Sequence, residues 1–542
     1  MAAATLVRHF RQILVWPLEL TPLPVGCALR NHWDVFAEAR ADNPWRELAD
    51  EFTGDPGQFQ ERHYVEFVHF LPFVQRFLYG EAGADGRRSP IHIFRRCDVD
   101  ALRVTLVTGQ APVTFKVAHT DLYFFYDIDT AILVFEFYAN DVPLGVAQDA
   151  TYRIGRAYPP FWEKSGQGGH CPALVELLGA DGRTLVQSDY EKRADYLRYA
   201  CAHTAPQVAA HWEYLIGPLV PVHDPSKKGL VRYKQIEDQR MPVMTYIAVD
   251  DPHALSRGDF VRFGLVARAG EANSLPYAER FLHDFEYRYC YDRYWEEAAQ
   301  TDWAHTRYLC SGHAFAMIGS AREPYFTDLD SGLLGHFRHQ YFLLGLIAHF
   351  HKAALLILSE RLSVAVGKLD VANERSVRSF AREVRHTLEV FLRFSHRYWF
   401  HEVSNQPQAR DLFGMWSKHL GNDQLYADVR NELHDINTYL DSARSKRLAD
   451  MGVRLGVVAT FGFIGVFVTG VFGMNVFSFG EGPIELRIIV LLTVFALATA
   501  LTFYTISVSK GLGDFLDALS DERIGWKRKY DVFLRIWKRD HR

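Results

Sequence analysis

Two long apolar runs near the carboxyl end of the sequence limit what this chain can fold into. No charged residue occurs over 455–472 or over 488–508. A helix over the first run would be about 27 Å long, close to the hydrocarbon core of a bilayer at about 30 Å. Uninterrupted apolar length of this kind is typical of membrane helices and uncommon in soluble cores. The sequence therefore predicts two transmembrane helices over these ranges, joined by a short loop, 473–487.

The charges that flank the two runs predict the orientation of this hairpin. The loop carries one basic residue, Arg487. The outer flanks carry many more: Lys446, Arg447, Arg454, Lys510, Arg523, Lys527, Arg528 and Lys529. Because basic residues concentrate on the cytoplasmic side, we expect a multi-pass protein of the inner (plasma) membrane with both termini in the cytoplasm. The first residues contain no apolar run of signal-peptide length, so no cleaved signal is expected.

A third apolar segment, 342–358, is interrupted by His349, His351 and Lys352. A lysine in the middle of a membrane helix is costly in free energy. The segment is therefore interpreted as the buried face of a long soluble helix rather than as a third span.

Composition and motifs exclude several other classes of protein. The formal net charge of −5 gives no polyanion-binding signature, so no nucleic-acid partner is expected. The six cysteines are scattered without a CxxC pair, which argues against a disulfide framework or a structural zinc site. No nucleophile elbow, P-loop or HExxH motif occurs, and we therefore expect neither an enzyme nor a bound cofactor.

Residues 1–330 show the patterns of an α/β domain, which the predicted topology places in the cytoplasm. Strands are predicted over 101–107, 113–118, 121–128, 130–139, 243–249 and 260–268. The third and fourth of these runs flank Asp129 and predict a hairpin within a sheet. A helix is expected over 144–157. No function follows from these patterns.

A helical region, 331–454, comes next. Helices are predicted over 334–366 and 372–403, and another begins near Asn422 and continues without a proline into the first apolar run. Its apolar positions form one seam: Leu425, Val429, Leu433, Ile436, Leu440, Ala443, Leu448, Met451 and Leu455. Such a seam is typical of a helix that packs against copies of itself. The expected element is one rod of about fifty residues, half cytoplasmic stalk and half membrane helix.

The tripeptide Gly473-Met474-Asn475 closes the first apolar run. It lies at the outer end of the first of the two predicted spans, which continues a long helix. In this position it resembles the motif of the CorA family of magnesium and cobalt transporters. The resemblance covers about 334–508. It implies an α+β chain with a CorA-like funnel: a large cytoplasmic α/β domain, a helical stalk and a two-helix transmembrane hairpin. It also implies a homopentamer, whereas the small residues of the first span indicate only an oligomer.

The resemblance assigns the selectivity filter to Gly473, Met474 and Asn475. Mg²⁺ gives up its waters reluctantly, and a ring of Asn475 amide oxygens can accept hydrogen bonds from those waters without removing them. Beyond the filter, Glu481 and Glu485 would form an outer acidic ring that concentrates cations. The pore lining, stepping back from the filter, would be Gly470, Val466, Phe463, Ala459, Leu455 and Gly452.

Some features depart from the family. Ile464 stands where the family often has a proline, and Val466 stands where a pore-facing threonine is common. The pore lining is therefore more apolar than usual. The N-terminal domain is larger than the family's, and the basic cytoplasmic tail, 509–542, is longer and predicts a helix at the inner membrane surface.

Two further groups of side chains are candidates for metal binding. Acidic residues of the stalk could form a regulatory cation site between subunits: Asp428, Glu432, Asp435 and Asp441. Histidines of the two preceding helices could form a transition-metal sensor: His336, His339, His349, His351, His386, His396 and His401. For both groups the plainer interpretation, packing or surface residues of soluble helices, stays open.

Together these features predict a passive, homo-oligomeric channel for hydrated divalent cations in a lipid membrane, with Mg²⁺ as the expected cargo. No ATP is needed, because a divalent ion crossing about 100 mV gains about 4.6 kcal/mol. Two alternatives stay open. One is a transporter of Zn²⁺, Co²⁺ or Ni²⁺. The other is a membrane-anchored sensor or effector, in which the N-terminal domain acts and the hairpin only anchors it.

Overall fold

The computed structural model of the chain describes residues 5–24, 26–37, 43–48, 60–80, 90–271, 274–296, 304–370 and 373–473, with a few single residues between 485 and 504. The chain divides into two units, Met1–Asn431 and Glu432–Arg542. The described part is a mixture of helices and a large sheet, so the predicted α+β class is confirmed. The predicted boundary at 330 falls inside the first unit.

Within the described ranges, fourteen strands form one sheet. They are β1 Leu6–Leu20, β2 Trp45–Glu47, β3 Ile91–Arg96, β4 Ala101–Thr105, β5 Val113–Phe125, β6 Thr130–Pro143, β7 Leu174–Leu178, β8 Thr184–Gln187, β9 Val220–Pro221, β10 Arg232–Gln235, β11 Val243–Val249, β12 Cys290–Trp295, β13 His305–Cys310 and β14 Ala314–Ser320. The main path runs β12-β13-β14-β11-β1-β6-β5-β4-β7-β8. Of the described pairs, β9–β10 and β11–β14 are parallel and the others antiparallel.

Helices occur along the whole of the first unit, and the last of them extends into the second unit. They are α1 Asp34–Ala37, α2 Glu61–His69, α3 Pro72–Tyr79, α4 Leu144–Arg153, α5 Arg193–His203, α6 Ala210–Ile216, α7 Arg257–Gly264, α8 Glu279–Tyr289, α9 Pro324–Thr327, α10 Leu333–His336, α11 Phe342–Gly367, α12 Glu374–Arg397, α13 Pro407–Leu420 and α14 Asn422–Gly473. A π-helical turn, Phe337–Tyr341, joins α10 to α11. The helix α13 was not expected from the sequence.

The central strands β1 and β6 are covered on both faces. Phe10, Leu14 and Trp16 of β1 join a core that also contains side chains of α4, α6 and α7. Ile13 belongs to the alternate set of β1 residues, which faces the other side of the sheet, and it lines a cavity together with Phe342 of α11. Strands covered on both faces are expected to consist of continuous apolar runs, which explains the composition of β6.

Most of the predicted strands are confirmed. β5 and β6 pair antiparallel as the expected hairpin, although β5 combines two predicted runs into one strand. The prediction of a strand over 260–268 is wrong, because this segment lies largely in α7. Ser256 accepts a hydrogen bond from the backbone of Asp259, whose side chain bonds back to Ser256. This reciprocal cap starts a helix, and the apolar run after it forms the helix's buried side.

The segment Leu333–Gly367 is long and apolar enough to cross a membrane. Its most apolar window has a mean hydropathy of 1.7, and 83% of that window is buried inside the protein. Phe350 of α11 stacks on Phe125 of β5 with ring centroids 4.1 Å apart. This burial agrees with the interpretation of 342–358 as a buried helix face rather than a membrane span.

Candidate functional site

The helix α14 carries most of the residues to which the sequence assigns a function. Its 52 residues form one unbroken helix, about 78 Å long, so the predicted rod is confirmed as a helix. Gly421, with a φ of 72°, ends α13 in the left-handed region and lets the chain turn directly into α14. The side chain of Asn422 donates a hydrogen bond of 2.9 Å to the carbonyl oxygen of Ala348 and so ties the start of α14 to α11.

The predicted filter lies at the far end of this helix. Gly473 is its last residue and is exposed. Met474, Asn475 and Glu481 lie outside the described residues, whereas Glu485 is helical and exposed. The expected filter and outer acidic ring therefore stay predictions.

The predicted pore lining forms one exposed face of α14, which we call the pore stripe. It comprises Gly452, Leu455, Ala459, Val466 and Gly470, and all five are exposed. Phe463 belongs to the same predicted lining, but its side chain lies outside the described set. Leu455 is 73% exposed and Val466 is 70% exposed, whereas Val457 on the opposite face is 7% exposed. The single chain thus covers one face of this helix and leaves the pore stripe open.

The first half of the predicted apolar seam is already covered within one chain. Val429, Leu433 and Leu440 are buried, and exposure of the seam begins at Leu448 and Met451. Leu425 and Ile436 are half-buried, and the side chain of Ala443 is outside the described set. The interpretation of this half of the seam as a surface for copies of the chain is therefore wrong, because its side chains already have cover.

The acidic residues of the stalk are exposed on the surface of α14. Asp428 accepts a hydrogen bond of 2.8 Å from Gln424, one helical turn away, and Asp441 accepts one of 3.3 Å from Asn437. Glu432 and Asp435 are exposed as well. Among the described residues, no group of three or more His, Cys, Asp or Glu side chains is arranged to hold a metal ion. A cation site at these carboxylates would need ligands from more than one chain.

The seven candidate histidines do not form one group in the part of the chain that the structure describes. His349 and His351 are buried in α11, and burial lowers the pKa of each to about 3. His351 bonds to the carbonyl oxygen of Tyr398 at 2.6 Å, which is a packing role. His386, His396 and His401 are exposed. His336 is the last residue of α10, and His339 lies in the π-helical turn before α11.

A second site was not suggested by the sequence: a cavity of about 640 Å³ in the first unit. Residues of β3, β5 and β6 line one side, and residues of α2, α3 and the start of α11 line the other. Its volume falls within the range of about 300–1,000 Å³ that is usual for small-molecule sites.

Glu136 of β6 is a buried carboxylate of this cavity. Arg11 Nη1 lies 2.5 Å and Arg338 Nε 2.7 Å from its Oε1 atom. Burial by itself would raise the pKa of Glu136, but the charges of Arg338 and Arg11 lower it to about 2. His119 Nε2 accepts a hydrogen bond from Arg338 Nη2 at 2.9 Å, which leaves the imidazole proton on Nδ1.

Glu66 of α2 forms a second buried cluster at the cavity. Tyr79 donates a hydrogen bond of 2.6 Å to one carboxylate oxygen, and His339 Nδ1 lies 3.0 Å from the other. Burial would raise the pKa of Glu66, but the interactions with His339 and Tyr79 lower it. The carboxylate is therefore ionised and fully engaged at neutral pH.

Comparison with known proteins adds no family to this description. No protein-family model matches the sequence, and a search of curated proteins gives no significant match.

Proposed function

We propose that this chain is a CorA-like, passive channel for hydrated divalent cations, with Mg²⁺ as the cargo, assembled from several copies around α14. The observation that carries the proposal is the exposed pore stripe, which leads along one unbroken helix to the Gly-Met-Asn tripeptide. Exposed apolar side chains cost about 25 cal/mol per Å² in bulk water, so we expect this face to lie in lipid or to line a narrow channel enclosed by other copies.

The two faces of α14 explain why a ring of copies is favoured over a simple anchor. In a monomeric anchor, the stripe through Leu455 and Val466 would face lipid, and small residues would have no special value there. Gly452, Ala459 and Gly470 instead permit close approach of neighbouring helices around a narrow channel. A pentamer follows from the family resemblance, and the regulatory role of the stalk carboxylates is part of the same proposal.

The alternative of a tethered sensor keeps one observation in its favour, the ligand-sized cavity of the first unit. The alternative of a Zn²⁺, Co²⁺ or Ni²⁺ transporter gains no support from the histidines, since the described ones are separated or engaged in packing.

A paired cysteine experiment tests the pore stripe. We expect Val466→Cys to react with a charged thiol reagent in proteoliposomes, and we expect divalent flux to fall to near zero after reaction. Val457→Cys is the matched control, because Val457 lies on the covered face of the same helix. Both variants are made with Cys97 and Cys201 replaced by serine, because these two cysteines are exposed.

The contrast between the two variants decides the result. Charged reagents react poorly with thiols in lipid, so a Val466→Cys protein that stays unmodified would mean that the stripe faces lipid. Equal inhibition of both variants would also contradict a water-filled pore along this face.

A further inference from the structure

We infer that the cavity of the first unit is a binding site for a small organic anion, a carboxylate or phosphate attached to an apolar body. The residues of this site belong to the first unit, and its existence does not depend on the proposed transport function.

Four carboxylates and three arginines line the cavity, and the charges in the cluster around Glu136 favour an anion over a cation. Each lining carboxylate already has a basic partner, at distances of 2.7–3.1 Å: Glu47 with His92, Glu66 with His339, Asp121 with Arg95, and Glu136 with Arg338. Glu136 has a second guanidinium partner in Arg11, so two cations face one carboxylate at this point. The buried cluster therefore carries an excess positive charge, and an entering metal cation would meet guanidinium groups rather than free oxygen ligands.

Hydrogen-bond donors remain after these pairs are made. Arg338 uses Nε and Nη2 toward Glu136 and His119, and Arg95 uses Nε and Nη2 toward Asp121. Among the described residues, the Nη1 groups of both arginines have no hydrogen-bond partner. His119 Nδ1 is buried without one as well. Guanidinium groups with spare N–H donors bind carboxylate and phosphate oxygens well.

Apolar side chains of the sheet and of α11 also line the cavity and suit the body of such a ligand. They are Ile13, Val134, Phe342, Leu343 and Leu346. An inorganic anion would leave these side chains uncovered. A ligand with an aromatic or aliphatic body would remove them from water, at about 25 cal/mol per Å².

Arg338 offers a substitution that separates ligand binding from folding. Glu136 keeps Arg11 as a partner when Arg338 is replaced, so the buried carboxylate stays neutralised. Arg103 on β4 is the matched control, because it pairs with Glu176 through two bonds of 2.7 Å on the same sheet and does not line the cavity.

Calorimetric titration of the full-length protein in nanodiscs, with phenyl phosphate and inorganic phosphate as probes, tests the inference. We expect phenyl phosphate to bind more tightly than inorganic phosphate. Loss of a hydrogen bond to a charged group should make Arg338→Gln bind phenyl phosphate about ten- to a hundredfold more weakly. Arg103→Gln should bind like the wild type. Arg338→Lys keeps the charge without the planar guanidinium, and its loss should fall between those of the other two variants.

Several results would overturn the inference. One is no binding of either probe at about 10 mM, a concentration that detects millimolar affinity. Equal affinity for the two probes would indicate an adventitious ion only. Binding unaffected by Arg338→Gln and Arg338→Lys would place the anion elsewhere. Mg²⁺ binding that is lost in Arg338→Gln would assign the cavity to a cation.

Discussion

Replacing Asn475 with alanine should stop most divalent cation flux while leaving the assembly intact. In the proposed channel the amide oxygens of several copies accept hydrogen bonds from the waters around the incoming ion. Losing even one hydrogen bond to a charged species, about 1.5–3 kcal/mol, slows passage about ten- to a hundredfold. The change leaves the length and apolarity of the first span unaltered, so the particle mass in detergent should stay the same multiple of 62.2 kDa.

The matched control is Asn437→Ala, which removes an exposed asparagine from the stalk part of the same helix. Its flux should equal that of the wild type. Unchanged flux in Asn475→Ala would contradict the filter assignment. A changed particle mass would mean that the substitution lowers flux by disturbing assembly rather than the filter.

The second large effect is on stability, at Glu136. Replacing it with glutamine leaves Arg11 and Arg338 side by side, with side chains only 10% and 15% exposed and without their carboxylate. Breaking a buried ion pair by removal of one partner costs about 3–5 kcal/mol. Unfolding of the first unit can be followed by the fluorescence of its buried tryptophans, among them Trp16 and Trp212.

Glu176→Gln is the control for this substitution. Because Glu176 pairs with a more exposed arginine, its replacement should lower the free energy of unfolding by only about 0–1 kcal/mol.

The contribution of Glu136 to stability also has a defined pH dependence. Its pKa in the folded protein, about 2, is below the ordinary value of 4.5, so its stabilisation is present above pH 4.5. The difference between wild type and Glu136→Gln should shrink as the pH falls from 4.5 toward 2. A difference that is small at pH 7 would contradict the buried pair.

What the sequence predicts well is what depends on local periodicity. The path of α14 follows from an uninterrupted helical pattern without proline. The hairpin of β5 and β6 follows from two β-rich runs around Asp129. In contrast, 260–268 has the composition of a strand, and only the cap formed by Ser256 and Asp259 makes it a helix.

The cavity could not be predicted, because its ion pairs join residues far apart in the chain. Glu136 stands out in the sequence as a lone charge in an apolar strand, and such a charge needs a partner. Its partners are Arg11 and Arg338, which are 125 and 202 residues away. The sequence contains many arginines, and which of them pair with Glu136 depends on how the chain folds, including the order of strands in the sheet. The covered half of the α14 seam was misjudged for the same reason, since periodicity marks an apolar face without saying what covers it.

The proposed function is tested most directly by Mg²⁺ entry into proteoliposomes that contain the purified wild-type chain and an internal fluorescent indicator. With the interior made negative by a potassium gradient and valinomycin, a divalent ion gains about 4.6 kcal/mol per 100 mV. The proposed channel predicts entry without ATP, at a rate that rises as the interior is made more negative. Oligomeric wild-type protein that admits no divalent cation at any potential would contradict the channel and favour a membrane-anchored sensor.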